Sequence, residues 1–193
     1  MNNQATTVLM CGIGGQGTIT AASLLASTVT EYGLQVKMSE IHGMSQRGGA
    51  VTTIVRFGEE VHSMVCDEGQ ADCILSFETT EALRNVSFLK KGGALLVNQE
   101  SIKPQSVLTG RAQMPHNMQQ RLQNYGAKLI PATELARKAG TTKCSNVVLL
   151  GALASTLPFE VEVWERVIAS KVPPKTVDIN LQALHLGMEA ARS

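Results

Sequence analysis

Aromatic residues are scarce in this chain. One Trp, two Tyr and four Phe make up 4% of it, which argues against surfaces built to stack bases. Charge is also sparse: Asp, Glu, Lys and Arg supply 17% of residues, and 17 basic against 16 acidic side chains leave a formal net charge of +1. With no basic stripe and no acidic tail, no nucleic-acid partner and no membrane surface is expected. The four cysteines, Cys11, Cys66, Cys73 and Cys144, form no Cys-x-x-Cys pair. Their spacing matches neither a zinc site nor an iron–sulfur run, so they read as reduced, mostly buried thiols. No apolar run approaches the roughly 18 residues of a membrane span, and the first residues lack the positive region of a signal peptide. A reducing cytoplasm is the expected compartment. Gly-x-Ser-x-Gly and His-Glu-x-x-His are missing, and His62, His116 and His185 are scattered, as surface histidines are.

What is present is a core. Hydrophobic residues make up 44% of 193, enough for one domain spanning 1–193. Thr7 to Cys11 is a short apolar run ending in glycine, the pattern of a strand buried on both faces. Apolar residues then recur at helical spacing from Gln16 to Tyr32, and Gly33 supplies a stop. Leu34 to Met38 resumes as a strand, so residues 7–40 read as one β-α-β unit. Ala50 to Phe57 is β-branched and partly alternating. With Gly58-Glu59 as a turn and Glu60 to Cys66 returning antiparallel, it predicts a hairpin at one sheet edge.

Downstream, a strand over Cys73–Phe77, a helix over Thr79–Leu89, a turn at Gly92-Gly93 and a strand over Ala94–Val97 continue the alternation. Helices are predicted over Asn117–Tyr125 and Thr133–Ala139, with a short strand at Lys128–Ile130 between them. Ser145 reads as the N-cap of an apolar helix running to Leu157. Inside that helix Gly151 implies close packing, since glycine there costs about 1 kcal/mol. Helices over Val161–Ser170 and Lys175–Arg192 close the chain. The fold class is α/β: a Rossmann-like, mostly parallel sheet flanked by helices, with an edge hairpin and a helical C-terminal section.

Two stretches carry chemistry. Gly12-Ile13-Gly14-Gly15-Gln16-Gly17 satisfies Gly-x-Gly-x-x-Gly, with the strand before it and the helix after it that the pattern needs. Gly12 suits a tight turn, Gly14 lets a ligand approach the backbone, and Gly17 lets the helix pack close. The free N–H groups at the helix start suit phosphate or carboxylate, and Glu40 is placed to accept hydrogen bonds from a ribose. The alternative is a glycine turn that serves packing alone, or the approach of another subunit's backbone. The second stretch, Ser39 to Gly49, gathers Glu40, His42, Ser45, Gln46 and Arg47, with Gly43, Gly48 and Gly49 between them. Arg47 offers a fork to carboxylate or phosphate, and His42 a proton near neutral pH. Met44 reads as packing. Both stretches are expected on the carboxyl edge of one sheet, where open α/β sheets place ligands.

Gly-Ile-Gly-Gly-Gln-Gly followed by Ser-Glu-Ile-His-Gly-Met-Ser-Gln-Arg-Gly-Gly-Ala resembles the gamma-type subunit or domain of 2-oxoacid:ferredoxin oxidoreductases. The histidine-containing loop is most like the small (beta) subunit of the indolepyruvate branch. Asn146 to Gly151 looks like the family's Asn…Leu-Gly helix start, and Asn180, Ala183 and Gly187 fit its closing pattern. The resemblance implies that thiamine diphosphate, Mg2+ and 4Fe–4S clusters belong to a large partner subunit, that coenzyme A is a co-substrate, and that ferredoxin is met through the complex. It implies no cofactor on this chain alone, and no activity without the partner. The candidate catalytic residues are His42 and Arg47. Gly12, Gly14, Gly15, Gln16, Gly17, Glu40, Ser45, Gln46, Gly48 and Gly49 are candidates for binding a cofactor or facing the partner, and no metal ligands are expected. A free-standing NAD(P)-linked dehydrogenase and an assembly subunit without a ligand are the competing readings.

Overall fold

The computed structural model describes residues 5–43 and 49–192. Among them one six-stranded sheet runs through the molecule: β1 (Thr6–Ile13), β2 (Gln35–His42), β3 (Ala50–Gly58), β4 (Ala71–Ser76), β5 (Leu89–Asn98) and β6 (Lys128–Ile130), in the order β2-β3-β1-β4-β5-β6. The helices are α1 (Thr18–Glu31), α2 (Thr79–Asn85), α3 (Gln105–Leu108), α4 (Met118–Asn124), α5 (Ala132–Ala139), α6 (Ser145–Ala154), α7 (Val161–Lys171) and α8 (Val177–Arg192). Strands β1, β4, β5 and β6 are mutually parallel. The expected α/β class, mostly parallel sheet and helical C-terminal section are all present.

The edge hairpin is also present with the expected strand over Ala50–Phe57, but its partner is β2 rather than residues 60–66. β3 runs antiparallel to β2, from Gln35 opposite Gly58 to His42 opposite Val51. It also runs antiparallel to β1, from Thr6 opposite Phe57 to Ile13 opposite Ala50. β3 is thus wedged between β1 and β2, and the unit over 7–40 keeps its two parallel strands but not as neighbours. Val51, Thr53, Ile54, Val55 and Phe57 are all buried, the signature of a strand enclosed on both sides. Residues 60–66 form no strand. Sheet side chains hold them instead: the Arg56 guanidinium donates to the Ser63 and Val65 carbonyls at 3.2 and 2.9 Å, and Lys37 Nζ to the His62 carbonyl at 3.4 Å. A segment with only Val61 and Cys66 buried has too little apolar surface to offset the ordering of a strand.

Two cores sandwich the sheet. On one face Val8, Met10, Val55, Phe57, Leu75 and Leu96 pack against α1, α5, α6, α7 and α8 around the fully buried Trp164. On the other, Leu9, Ile54, Ile74, Leu95 and Val97 meet Ala82 of α2 and Leu122 of α4. α6 is apolar all round and buried along nearly its whole length, as a central helix must be. It crosses α8 main chain to main chain. A Cβ on Gly151 would overlap the Leu184 carbonyl, and one on Gly187 would overlap that of Val148.

Smaller differences have local causes. Ser145 is the first residue of α6 rather than its cap, because a tight turn over Thr142–Cys144 leads straight into the helix. The expected helix to Leu89 ends at Asn85, and β5 begins at Leu89. Its Gly92-Gly93 pair makes a bulge inside the strand, with Ala71 opposite Leu89 and Cys73 opposite Ala94. Gly92 has φ 80, and a Cβ on Gly93 would sit 2.9 Å from the Asp72 carbonyl.

Candidate functional site

The glycine stretch forms the turn that carries the chain from β1 into α1. Gln16 N–H donates to the Ile13 carbonyl at 3.1 Å to close it, and Gly15 and Gly17 take φ 100 and 82, a region that disfavours side chains. Gly12 lies one residue short of the strand end rather than in the turn. Its need is space, since a Cβ there would lie 2.8 Å from Phe77 Cβ. Gly17 is the N-cap of α1, and a Cβ on it would meet the Asn146 amide at 2.7 Å. Asn146 of α6, nearly buried, thus links the C-terminal helices to the turn. No side chain caps α1, so its first-turn N–H groups remain an anion-favouring end.

Gln16 has an inward role. Its Oε1 accepts from the Ile13 N–H at 2.7 Å, and its Nε2 donates to the Phe77 carbonyl at 3.2 Å. The same carbonyl accepts from Asn98 Nδ2 at 3.2 Å, while Phe77 N–H donates to the Cys11 carbonyl at 2.8 Å. β1 and β4 are the neighbours whose crossovers leave on opposite faces, and the crevice beyond such a point is where dinucleotides lie. Here one amide bridges it. Gln16 is a brace within the turn.

The carboxyl edges of β1 and β2 do meet around one opening. Gly14 N–H donates to the Gly49 carbonyl at 2.9 Å, tying the turn to the lead-in of β3. A cleft of about 690 Å³ lies between Gly14, Gly15 and the first turn of α1 on one side and His42, Gly43 and Val51 on the other. Of the second stretch, His42 and Gly43 are the described residues that line this cleft. Glu40 and His42 share a face of β2, and His42 Nε2 lies 3.1 Å from Glu40 Oε2. Topology sets Glu40 apart from the glycine turn. Glu40 is opposite Thr53, which is opposite Met10, so the inserted β3 puts it two strand spacings, about 10 Å, from β1. Its carboxylate serves His42. Ser45, Gln46, Arg47 and Gly48, together with Met44, lie outside the described residues.

The cysteines are all free and buried. Burial pushes the thiols of Cys11 and Cys73 up to about 12 and raises those of Cys66 and Cys144, so none is a ready nucleophile. Among the described residues no three His, Cys, Asp or Glu converge on a metal-holding arrangement, and no helix is long and apolar enough to cross a membrane. Two structural residues escaped sequence reasoning. Fully buried Glu78 accepts from the Thr80 and Glu81 N–H groups and caps α2. Asn98 joins β5 to Phe77 and, through Oδ1, accepts from Ala132 N–H at 3.2 Å. An acidic residue directly ahead of the predicted helix was a signal for Glu78. Asn98 had none.

Known proteins share this fold. The chain is 43% identical over 192 residues to the indolepyruvate oxidoreductase subunit IorB of Thermococcus kodakarensis, covering 96% of this chain and 95% of that protein. The IorB subunit of Pyrococcus horikoshii matches with the same identity and coverage. The keto/oxoacid ferredoxin oxidoreductase gamma subunit from Geobacter sulfurreducens has the same fold, with a TM-score of 0.73 and 27% identity, covering 97% of this chain and 98% of that one. Residues 7–190 match the family model for pyruvate ferredoxin/flavodoxin oxidoreductase. A family model matched over 7–190 and relatives 43% identical over 96% of the chain lead to one conclusion: this chain belongs to the pyruvate ferredoxin/flavodoxin oxidoreductase family.

Proposed function

We propose that this chain is the non-cluster subunit of a ferredoxin-dependent 2-oxoacid oxidoreductase acting on indolepyruvate or other arylpyruvates. The complex converts the acid to CO2 and an acyl-coenzyme A and passes two electrons to ferredoxin. The observation that carries this reading is the 43% identity, over nearly the full length, to a subunit of an indolepyruvate oxidoreductase. The geometry supports it against a free-standing NAD(P)-linked dehydrogenase: Gln16 bridges the crevice beyond β1 and β4, and β3 separates Glu40 from the glycine turn.

Thiamine diphosphate with Mg2+ supplies the decarboxylation chemistry and 4Fe–4S clusters the electron path. Four separately buried thiols and no converging acidic or histidine set among the described residues do not fit these groups, which are assigned to the large subunit. This chain contributes one wall of the opening. The uncapped start of α1 and Arg47 favour the anionic parts of substrate or coenzyme A, and Glu40 orients the His42 ring beside them. The enzyme is cytoplasmic.

Co-purification from the native host tests the reading. A larger partner containing iron and thiamine, and coenzyme A-dependent acceptor reduction with indolepyruvate, are the expected results. Turnover by the isolated chain, or tight NAD binding by calorimetry, would overturn it. Arg47→Ala and His42→Ala separate a site role from an assembly role: lost turnover in an intact complex marks the former, a lost complex the latter.

A further inference from the structure

The half of the sheet formed by β2 and β3 has two unlike faces. The register puts Val36, Met38, Glu40 and His42 on the face covered by α1. It puts Lys37, Ser39 and Ile41 on the other, beside Thr52, Ile54 and Arg56 and, one strand further, Leu9 and Cys11. No helix among the described residues covers this second face at β2. It holds a groove of about 400 Å³ floored by Leu9 and Ile54, with Ile41, Met64, Val65 and Phe88 around it. Ile41 and Val65 are each 61% exposed and Met64 47%, a density of exposed apolar groups that soluble surfaces rarely carry without a partner.

The strip that lines the groove runs on into acid: Asp67 and Glu68 follow the lining Cys66 directly and are exposed, while Glu60 at the other end of the strip pairs with His62 at 3.3 Å. From Glu59 to Leu83 the sequence has no lysine or arginine, and Glu59, Glu60, Asp67 and Glu68, which flank the strip that carries Met64 and Val65, are exposed. The cations on this face, Lys37 and Arg56, donate to carbonyls of that same strip. Their hydrogen bonds hold the strip in place over the sheet rather than reaching outward. An apolar groove with exposed acid beside it at Asp67 and Glu68 disfavours anionic lipid and nucleic acid. It also disfavours a second copy of this chain, because a two-fold contact would bring acid against acid.

We infer that the face of β2 and β3 bearing Ile41, Met64 and Val65 docks the large subunit, which meets it with apolar side chains flanked by Lys or Arg. The assignment rests on the subunit reading above, and it puts this contact on the opposite face of the sheet from α1 and the glycine-turn cleft. The large subunit would then grip this domain from behind while the carboxyl edge stays open to the site.

The test is co-production with a tagged large subunit. The native chain is retained in equal amount, and raising the salt from low to high lowers retention, as acidic–basic pairs require. Ile41→Lys with Val65→Lys cuts retention at least tenfold while the isolated variant keeps its circular dichroism and Tm. Tyr125→Lys, an exposed aromatic after α4, leaves retention unchanged. Should the double variant melt, Glu68→Lys gives the same answer by loss of the salt dependence. Retention of native chain and double variant alike would overturn the assignment alone. No retention of the native chain by any large subunit would overturn it together with the subunit reading. A homodimer of the isolated chain dispersed by the double variant would give the face to a second copy instead.

Discussion

The amide of Gln16 donates to the main-chain carbonyl of Phe77 at 3.2 Å while its oxygen takes the Ile13 N–H at 2.7 Å. One side chain thus closes its own turn and joins the ends of β1 and β4. Gln16→Ala strands the Ile13 donor and leaves the Phe77 carbonyl to Asn98 alone. A buried polar group without its partner costs about 1–3 kcal/mol, so urea unfolding of the isolated chain should show a loss of that size. A variant as stable as the native chain would mean that the brace is incidental.

The crossing of α6 and α8 leaves no room for a side chain at Gly151 or Gly187. Gly187→Ala drives a methyl into the Val148 carbonyl, and neither partner is a flexible side chain. Overpacking costs typically 1–3 kcal/mol, and main-chain contact puts this case at about 3 kcal/mol or above. Chemical denaturation measures it. A loss below about 1 kcal/mol would show that the helices can part freely.

Glu81 carries the pH dependence. Burial raises its pKa above 4.5, opposed by the Arg84 guanidinium 3.1 Å away and reinforced by Glu78. A carboxyl whose folded pKa is raised binds more protons folded than unfolded, so its contribution to stability falls as pH rises from about 4.5 through the folded value. Glu81→Gln should therefore raise Tm at pH 7 and lose that advantage below pH 4.5. An unchanged difference across this window would contradict the assignment.

All four thiols should be silent in the native chain. With Cys11 and Cys73 pushed up to about 12 and all four buried, a thiol-reactive dye at pH 8 should release colour only as the chain unfolds. Four equivalents in guanidinium with almost none beforehand is the expected reading. Fast labelling of one thiol in the folded chain would identify an opening that the packing does not show.

Local patterns were legible. Positive φ at Gly15, Gly17 and Gly33 follows from what glycine alone adopts easily, and the helices of the second half follow from apolar spacing that each segment carries within itself. Gly151 inside an apolar helix marks a close crossing without naming the partner, α8. The strand over Ala50–Phe57 was equally plain, yet its neighbours were not. Periodicity identifies a pleated surface but does not say which strands it pairs with, and 60–66 looked like a return because it came next in the chain.

The same division holds at the opening between the two motifs. The amino-acid sequence by itself determined that a glycine turn leads into a helix, that a polar loop follows the second strand, and that the cysteines form no cluster-binding spacing. These are properties of short segments and of their backbone chemistry. Only the tertiary structure decided that β3 slides between β1 and β2, moving Glu40 two strands from the turn, and that Gln16 faces inward to Phe77. Those outcomes depend on which buried donors and apolar faces meet, from 9 residues apart at His42 and Val51 to 61 at Gln16 and Phe77, and hydrogen-bond satisfaction settles them only once the whole sheet has formed.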